Sequence, residues 1–123
     1  MAIKTSSAKA KGRKLQQLVR DKIIALLKYK GVEPADVKSA VMGENGEDIQ
    51  LSPFARNFLP VSIECKSHKS MAIYKLYAQA QENCEDRQPV LVIKANHKEP
   101  LAVIDLDYWL DLEDKRVRYE DNE

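Results

Sequence analysis

The sequence predicts an α/β fold, a single domain in which helices flank a sheet, and three observations predict it. The 123 residues match the usual size of one domain. Apolar residues recur at helical spacing in two long segments, with period-two or short apolar runs between them. The resulting order is helix, hairpin, strand, helix, strand, strand, helix, with no internal repeat.

Residues 1–11 are small, polar and basic without periodicity, and are expected to form a mobile arm. From Gly12 to Tyr29, Leu15, Leu18, Val19, Ile23, Leu26 and Leu27 form one apolar stripe opposite a cationic face, which predicts a helix ended by Gly31. Two apolar stretches, Ala40 to Met42 and Ile49 to Leu51, flank Asn45-Gly46, whose tolerance of positive φ favours a tight hairpin. Ser52-Pro53 reads as a cap and first-turn proline for one helical turn over Phe54 to Phe58, and Pro60 stops it. Val61, Ile63 and Cys65 then alternate with Ser62, Glu64 and Lys66, so a strand places Glu64 and Lys66 together on the face opposite the apolar one.

Ser70 to Asn83 predicts a second helix with Ile73, Leu76, Tyr77 and Ala80 inward. Val90 to Ile93 and Leu101 to Leu106 predict two more strands. Tyr108, Trp109 and Leu110 begin a short final helix expected to close over the sheet, followed by a frayed, charged tail. The expected organisation is therefore an arm over residues 1–11, a domain over 12–112 and a tail over 113–123.

The composition, 44% apolar and 32% charged, is that of a soluble globular protein, and no apolar run approaches the roughly 20 residues of a membrane span. No signal-type apolar stretch precedes Leu15, so a cytoplasmic location is expected. Two cysteines without CxxC spacing argue against structural zinc and a disulfide framework. The formal charge of +1 hides an asymmetry: residues 1–30 hold nine Lys and Arg against Asp21 alone, whereas the segment after Asp105 is acidic. Concentrated cations attract polyanions by releasing their counterions, so nucleic acid is an expected partner; a solvated helix face is the plainer alternative.

Glu64, Cys65 and Lys66 on one strand, with Asp48 on its neighbour, make the constellation that a divalent-metal nuclease requires. Magnesium or manganese prefers oxygen ligands, so Asp48 and Glu64, with the Cys65 carbonyl as a further oxygen, are the candidate ligands. A cation held there lowers the pKa of attacking water, and a lysine on the same face stabilises charge on the phosphate. Spacing alone carries little weight, because exposed strands often show Glu-x-Lys as a solvated face.

The ordered series adds weight. Lys11-Gly12-Arg13 opens a basic helix, Gly46-Glu47-Asp48-Ile49 leads into a strand, Ser62-Ile63-Glu64-Cys65-Lys66-Ser67 follows, then Tyr77-Ala78-Gln79-Ala80 on a helix, and the strand pair Leu91 to Lys94 and Leu101 to Asp105. In these features the chain resembles the PD-(D/E)XK nuclease superfamily, and within it the small Holliday junction resolvases of archaea and phages. The resemblance implies a restriction-endonuclease-like mixed sheet and metal-dependent cleavage of branched DNA by a homodimer. It makes Asp48 and Glu64 metal ligands, Lys66 the water-orienting or charge-stabilising residue, and Gln79 a polar neighbour of the site. Lys9, Lys11, Arg13, Lys14 and Lys69 are the expected DNA contacts. Where family members place a glutamate on the first helix, this chain has Gln16, which supplies no charge, so the resemblance leaves one or two metal ions open.

Glu47 should face away from Asp48 and is expected to be an exposed turn carboxylate. Ser39 lies near where related resolvases carry a functional serine, without a motif to fix the equivalence. His68 and His97 are expected at the surface, and Tyr74, Tyr77 and Trp109 in core or interface. Two other functions fit the same residues: a nicking or restriction-like nuclease without junction preference, and a DNA-binding module that has lost its chemistry.

Overall fold

In the computed structural model, residues 2–41, 46–67 and 72–121 are described. Helix α1 (Ala2–Leu27) passes through a tight turn, Lys28–Lys30, to Gly31, whose φ of 85° provides the expected left-handed stop. A second tight turn, Pro34–Asp36, leads into β1 (Val37–Ser39), which pairs antiparallel with β2 (Ile49–Leu51). Helix α2 (Pro53–Arg56) follows, its first turn capped by the Ser52 hydroxyl, which accepts the Ala55 N–H. Then come β3 (Val61–Ser67), α3 (Ile73–Asn83), β4 (Gln88–Lys94), β5 (Leu101–Val103) and α4 (Leu106–Asp121).

The five strands form one mixed sheet in sequence order. Its only parallel pair among the described residues is β3 with β4, which α3 connects as a crossover. Helix α1 covers β1 to β3 on one face, and α3 covers β3 and β4 on the other. Period two therefore divides β3: Val61, Ile63 and Cys65 join Leu15, Ile23, Leu27, Ile49 and Leu51 in the core under α1. Ser62 and Glu64 point to the α3 side, and both are buried, because this strand is covered on both faces rather than solvated on one. Leu91, opposite Glu64 in register, and Ala80 of α3 are fully buried. The α/β class and the order of elements match what the sequence predicts. Among the described residues no helix is long and apolar enough to cross a membrane.

Five local expectations are corrected. Residues 2–11 continue α1 instead of forming an arm, since Ala and Lys favour helix without needing an apolar stripe. The first hairpin strand is Val37–Ser39, ahead of the expected start at Ala40, because Asp36 anchors the chain just before it; Met42 lies outside the described residues. The Asp36 carboxylate accepts both the Glu33 N–H at 2.9 Å and the Ser52 hydroxyl at 2.7 Å, tying the entry of β1 to the exit of β2. Gly46 has the positive φ foreseen for the turn (99°), while Asn45 lies outside the described residues.

Ile73, expected inward, is exposed near the start of α3. The last helix is neither short nor a lid: it runs 16 residues, its start capped by the Asp105 carboxylate accepting the Tyr108 N–H. Of its aromatic and aliphatic residues only Tyr108 packs against the core, and Leu106, Trp109, Leu110 and Val117 stay exposed. Ion pairs Arg116–Glu113 and Arg118–Asp114, at helical spacing, extend helix into the segment expected to fray.

Removing the fully buried Leu91 side chain (Leu91→Ala) should cost about 2–5 kcal/mol in urea unfolding. Leu106→Ala, at a position 66% exposed, should change stability by no more than about 0.5 kcal/mol.

Candidate active site

Asp48 lies one step beyond the Ile49–Ile63 pair of the antiparallel β2–β3 ladder, which puts it across from Glu64. Its backbone N–H still donates to the Ile63 carbonyl at 3.1 Å, but its side chain then takes over from the ladder. Oδ2 accepts the Cys65 backbone N–H at 2.8 Å, standing in for a strand carbonyl. Asp48, Glu64 and Lys66 thereby share one cleft of about 450 Å³ with Gly46 and, from α3, Gln79, Glu82 and Asn83.

Glu64 is only 4% exposed, and its Oε1 accepts a hydrogen bond from Asn83 Nδ2 at 3.0 Å. The Ser62 hydroxyl donates to the Asn83 carbonyl at 3.4 Å, so the end of α3 is fastened to the same strand. Burial first, and the nearby Asp48 charge second, push the Glu64 carboxyl up to about 7; the Asn83 amide and Lys66 pull against that rise. On the other side of β3 the Cys65 thiol sits in the core, and burial, reinforced by Asp48 and Glu64, holds its pKa well above the ordinary thiol value. The part of Cys65 aimed at the site is its amide.

The residue before Asp48 corrects an expectation. Glu47 is not an exposed turn carboxylate but is buried in an ion pair of 2.7 Å with Arg87, itself 8% exposed, and reaches Arg56 at 3.4 Å. Arg87 also donates to the Val61 carbonyl at 3.2 Å, linking the start of β3 to this pair. Two guanidinium groups gather around one carboxylate, and the chain emerging from that clamp is Asp48.

The remaining predicted residues divide. Gln79 lines the cleft. Gln16 is buried on α1 and is not among the residues lining it. Lys9 and Arg13 are exposed on α1, and Lys11 and Lys14 line a different concavity on the α1 face. Lys69 and His68 lie outside the described residues. Ser39 is half-buried at the end of β1, paired with Ile49. Of the aromatics expected in core or interface, Tyr74 is 95% exposed and Tyr77 is half-buried.

Sequence reasoning missed Asn83, Glu82 and the Arg87–Glu47–Arg56 cluster. The first two carry a usable signal, since residues 79, 82 and 83 share one helical face. The arginines carry none, because they meet Glu47 only through the tertiary fold.

Among the described residues no group of three or more His, Cys, Asp and Glu side chains is placed to hold a metal ion. Asp48 and Glu64 are a pair, and the donor chemistry suits a hard cation such as magnesium, which binds through one or two carboxylates and fills its shell with water and phosphate oxygens. Two carboxylates that repel each other beside a single lysine gain from such a counter-charge. Comparison of the chain with protein-family models, with curated proteins and with solved structures gave no match.

Two predictions follow from these electrostatics. A carboxyl raised in the fold from 4.5 to about 7 costs nothing below pH 4.5, an increasing amount between 4.5 and 7, and its full amount above. In chelator, Glu64→Gln should therefore raise stability at pH 8 by on the order of 1–3 kcal/mol and leave it unchanged at pH 4, read from denaturant midpoints. A stabilisation equal at both pH values would assign the effect to packing instead. Arg87→Met leaves the buried Glu47 carboxylate only its longer contact with Arg56 and should cost up to about 3–5 kcal/mol in the same assay, with the Glu47→Gln/Arg87→Met pair recovering part of it.

Proposed function

We propose that this protein is a metal-dependent endodeoxyribonuclease that hydrolyses phosphodiesters of branched DNA, acting as a homodimer in the cytoplasm. The observation that carries the proposal is the meeting of Asp48 and Glu64, from adjacent strands, in one cleft with Lys66. In it Asp48 and Glu64 hold a magnesium or manganese ion. The ion supplies Lewis acidity and a lowered pKa for attacking water when bound. Asp48 Oδ2 is fixed by the Cys65 amide and Glu64 Oε1 by Asn83, so both ligands are oriented in advance. The Lys66 ammonium, on the same face of β3, orients the water and offsets charge building on the phosphate. Gln79 lines the same cleft from α3. The position of Gln16 away from this cleft favours a single strongly held ion.

Branched DNA is proposed as substrate from the resemblance and from symmetry: paired nicks in a four-way junction require two sites related by a twofold axis, and one small domain supplies one. The cations of α1 give sequence-independent attraction to the backbone, which suits recognition of shape rather than base edges.

Four-way junction and linear duplex incubated with magnesium or chelator test this. Symmetric nicks in the junction alone, absent in chelator, are expected; cuts in both substrates would remove the junction preference, and binding without cleavage would remove the enzyme. Asp48→Asn and Glu64→Gln should abolish cleavage with DNA binding retained or tightened, and Lys66→Ala should slow it about 100- to 1,000-fold. Normal cutting by the carboxylate variants would refute the site.

A further inference from the structure

The α1 face of the sheet has a second concavity at the same end of β3. Lys11 and Lys14, above Leu15 and Leu18 of the same helix, form one wall, Lys94 and the β4–β5 turn residues Asn96 and His97 another, and Ser67 completes a space of about 350 Å³. Among the described residues no carboxylate lines it. Among the described residues, none of Lys11, Lys14 and Lys94 forms an ion pair. Converging cations repel one another, an arrangement that becomes favourable once an anion lies between them.

The turn is held in place. Lys11 Nζ donates to Asn96 Oδ1 at 2.9 Å, docking the turn on α1, and the Lys98 N–H closes it on the Ala95 carbonyl at 3.2 Å. His97 adopts a positive φ (59°), a conformation that His tolerates better than most side chains and that fixes the direction in which the imidazole leaves the turn. Ammonium groups, an amide, a hydroxyl and an imidazole offer many donors, matched by a ligand whose oxygens only accept. A phosphate group has that chemistry.

We propose that this cleft is a metal-independent phosphate-binding site that seats a backbone phosphate of the nucleic acid, a ligand choice that rests on the nuclease function proposed above. Lys66 and Ser67 are consecutive on β3 and face opposite sides of the sheet, one toward the carboxylate cleft and the other toward this site. A strand crossing this edge of the sheet meets both. The site thus holds substrate on the far side of the edge from the position of cleavage, and its hold does not depend on the cation.

The test compares the full chain with Lys94→Gln/His97→Gly, in which glycine suits the positive φ and so preserves the fold. In chelator, anisotropy of a labelled four-way junction is followed over a salt series, and inorganic phosphate is titrated against the Asn96 and His97 NMR signals. The double variant should bind DNA about tenfold more weakly, with the salt slope of its affinity reduced by about one, the signature of one lost phosphate contact. Phosphate should move both signals in the wild type. Equal affinity and slope in the two proteins would overturn the site while leaving the nuclease proposal standing. If the wild type binds no DNA yet phosphate still shifts these signals, the nuclease proposal fails and the cleft stands as a site for a free phosphate. If neither ligand engages it, the inference falls.

Discussion

The hydrogen bond from the Cys65 amide to the Asp48 carboxylate governs the arrangement around it. It forms where the β2–β3 ladder ends, so a side chain completes what the backbone leaves unfinished. In doing so it fixes Asp48 opposite Glu64. The neighbouring carboxylate has the opposite fate: Glu47 turns into the protein and is neutralised by Arg87 and Arg56. Two adjacent acidic residues are thus sorted, one given its counter-charge by the protein and the other left facing a cleft in which, among the described residues, Lys66 supplies the one cationic side chain.

That arrangement works against stability. Glu64 is buried beside a second carboxylate, and the Asn83 amide and Lys66 only partly offset the repulsion and the loss of water. A glutamine or leucine would suit a domain that only had to fold. Strongly perturbed carboxyls of this kind gather at functional sites, because the groups that make a site work are seldom those that best stabilise it.

The parts legible in the sequence are those governed by local periodicity. Alternation along β3 put Glu64 and Lys66 on one side, the glycine-containing hairpin put Asp48 beside them, and helical spacing put Gln79 within reach. The failures share a cause, the absence of tertiary information. Glu47 alternates with Asp48 as expected, but what awaits it on its own side is a pair of arginines contributed by α2 and by the turn after α3. That Glu64 would be buried was not legible, because nothing in its own strand announces that α3 covers it. At the two ends, lack of an apolar stripe suggested disorder, whereas Ala-Lys propensity at the start and i,i+3 and i,i+4 ion pairs near the finish maintain helix there.

Helix α1 is 26 residues long, and among its described side chains burial begins at Leu15. At 1.5 Å per residue the element is about 39 Å end to end, and its described residues ahead of Leu15 include the exposed cations Lys9, Lys11, Arg13 and Lys14. Cations gathered on one helix enlarge the capture radius of a small body for a polyanion. A polyanion approaching that end of the molecule is drawn toward it, and added salt, by screening the attraction, slows the encounter and weakens the resulting complex together.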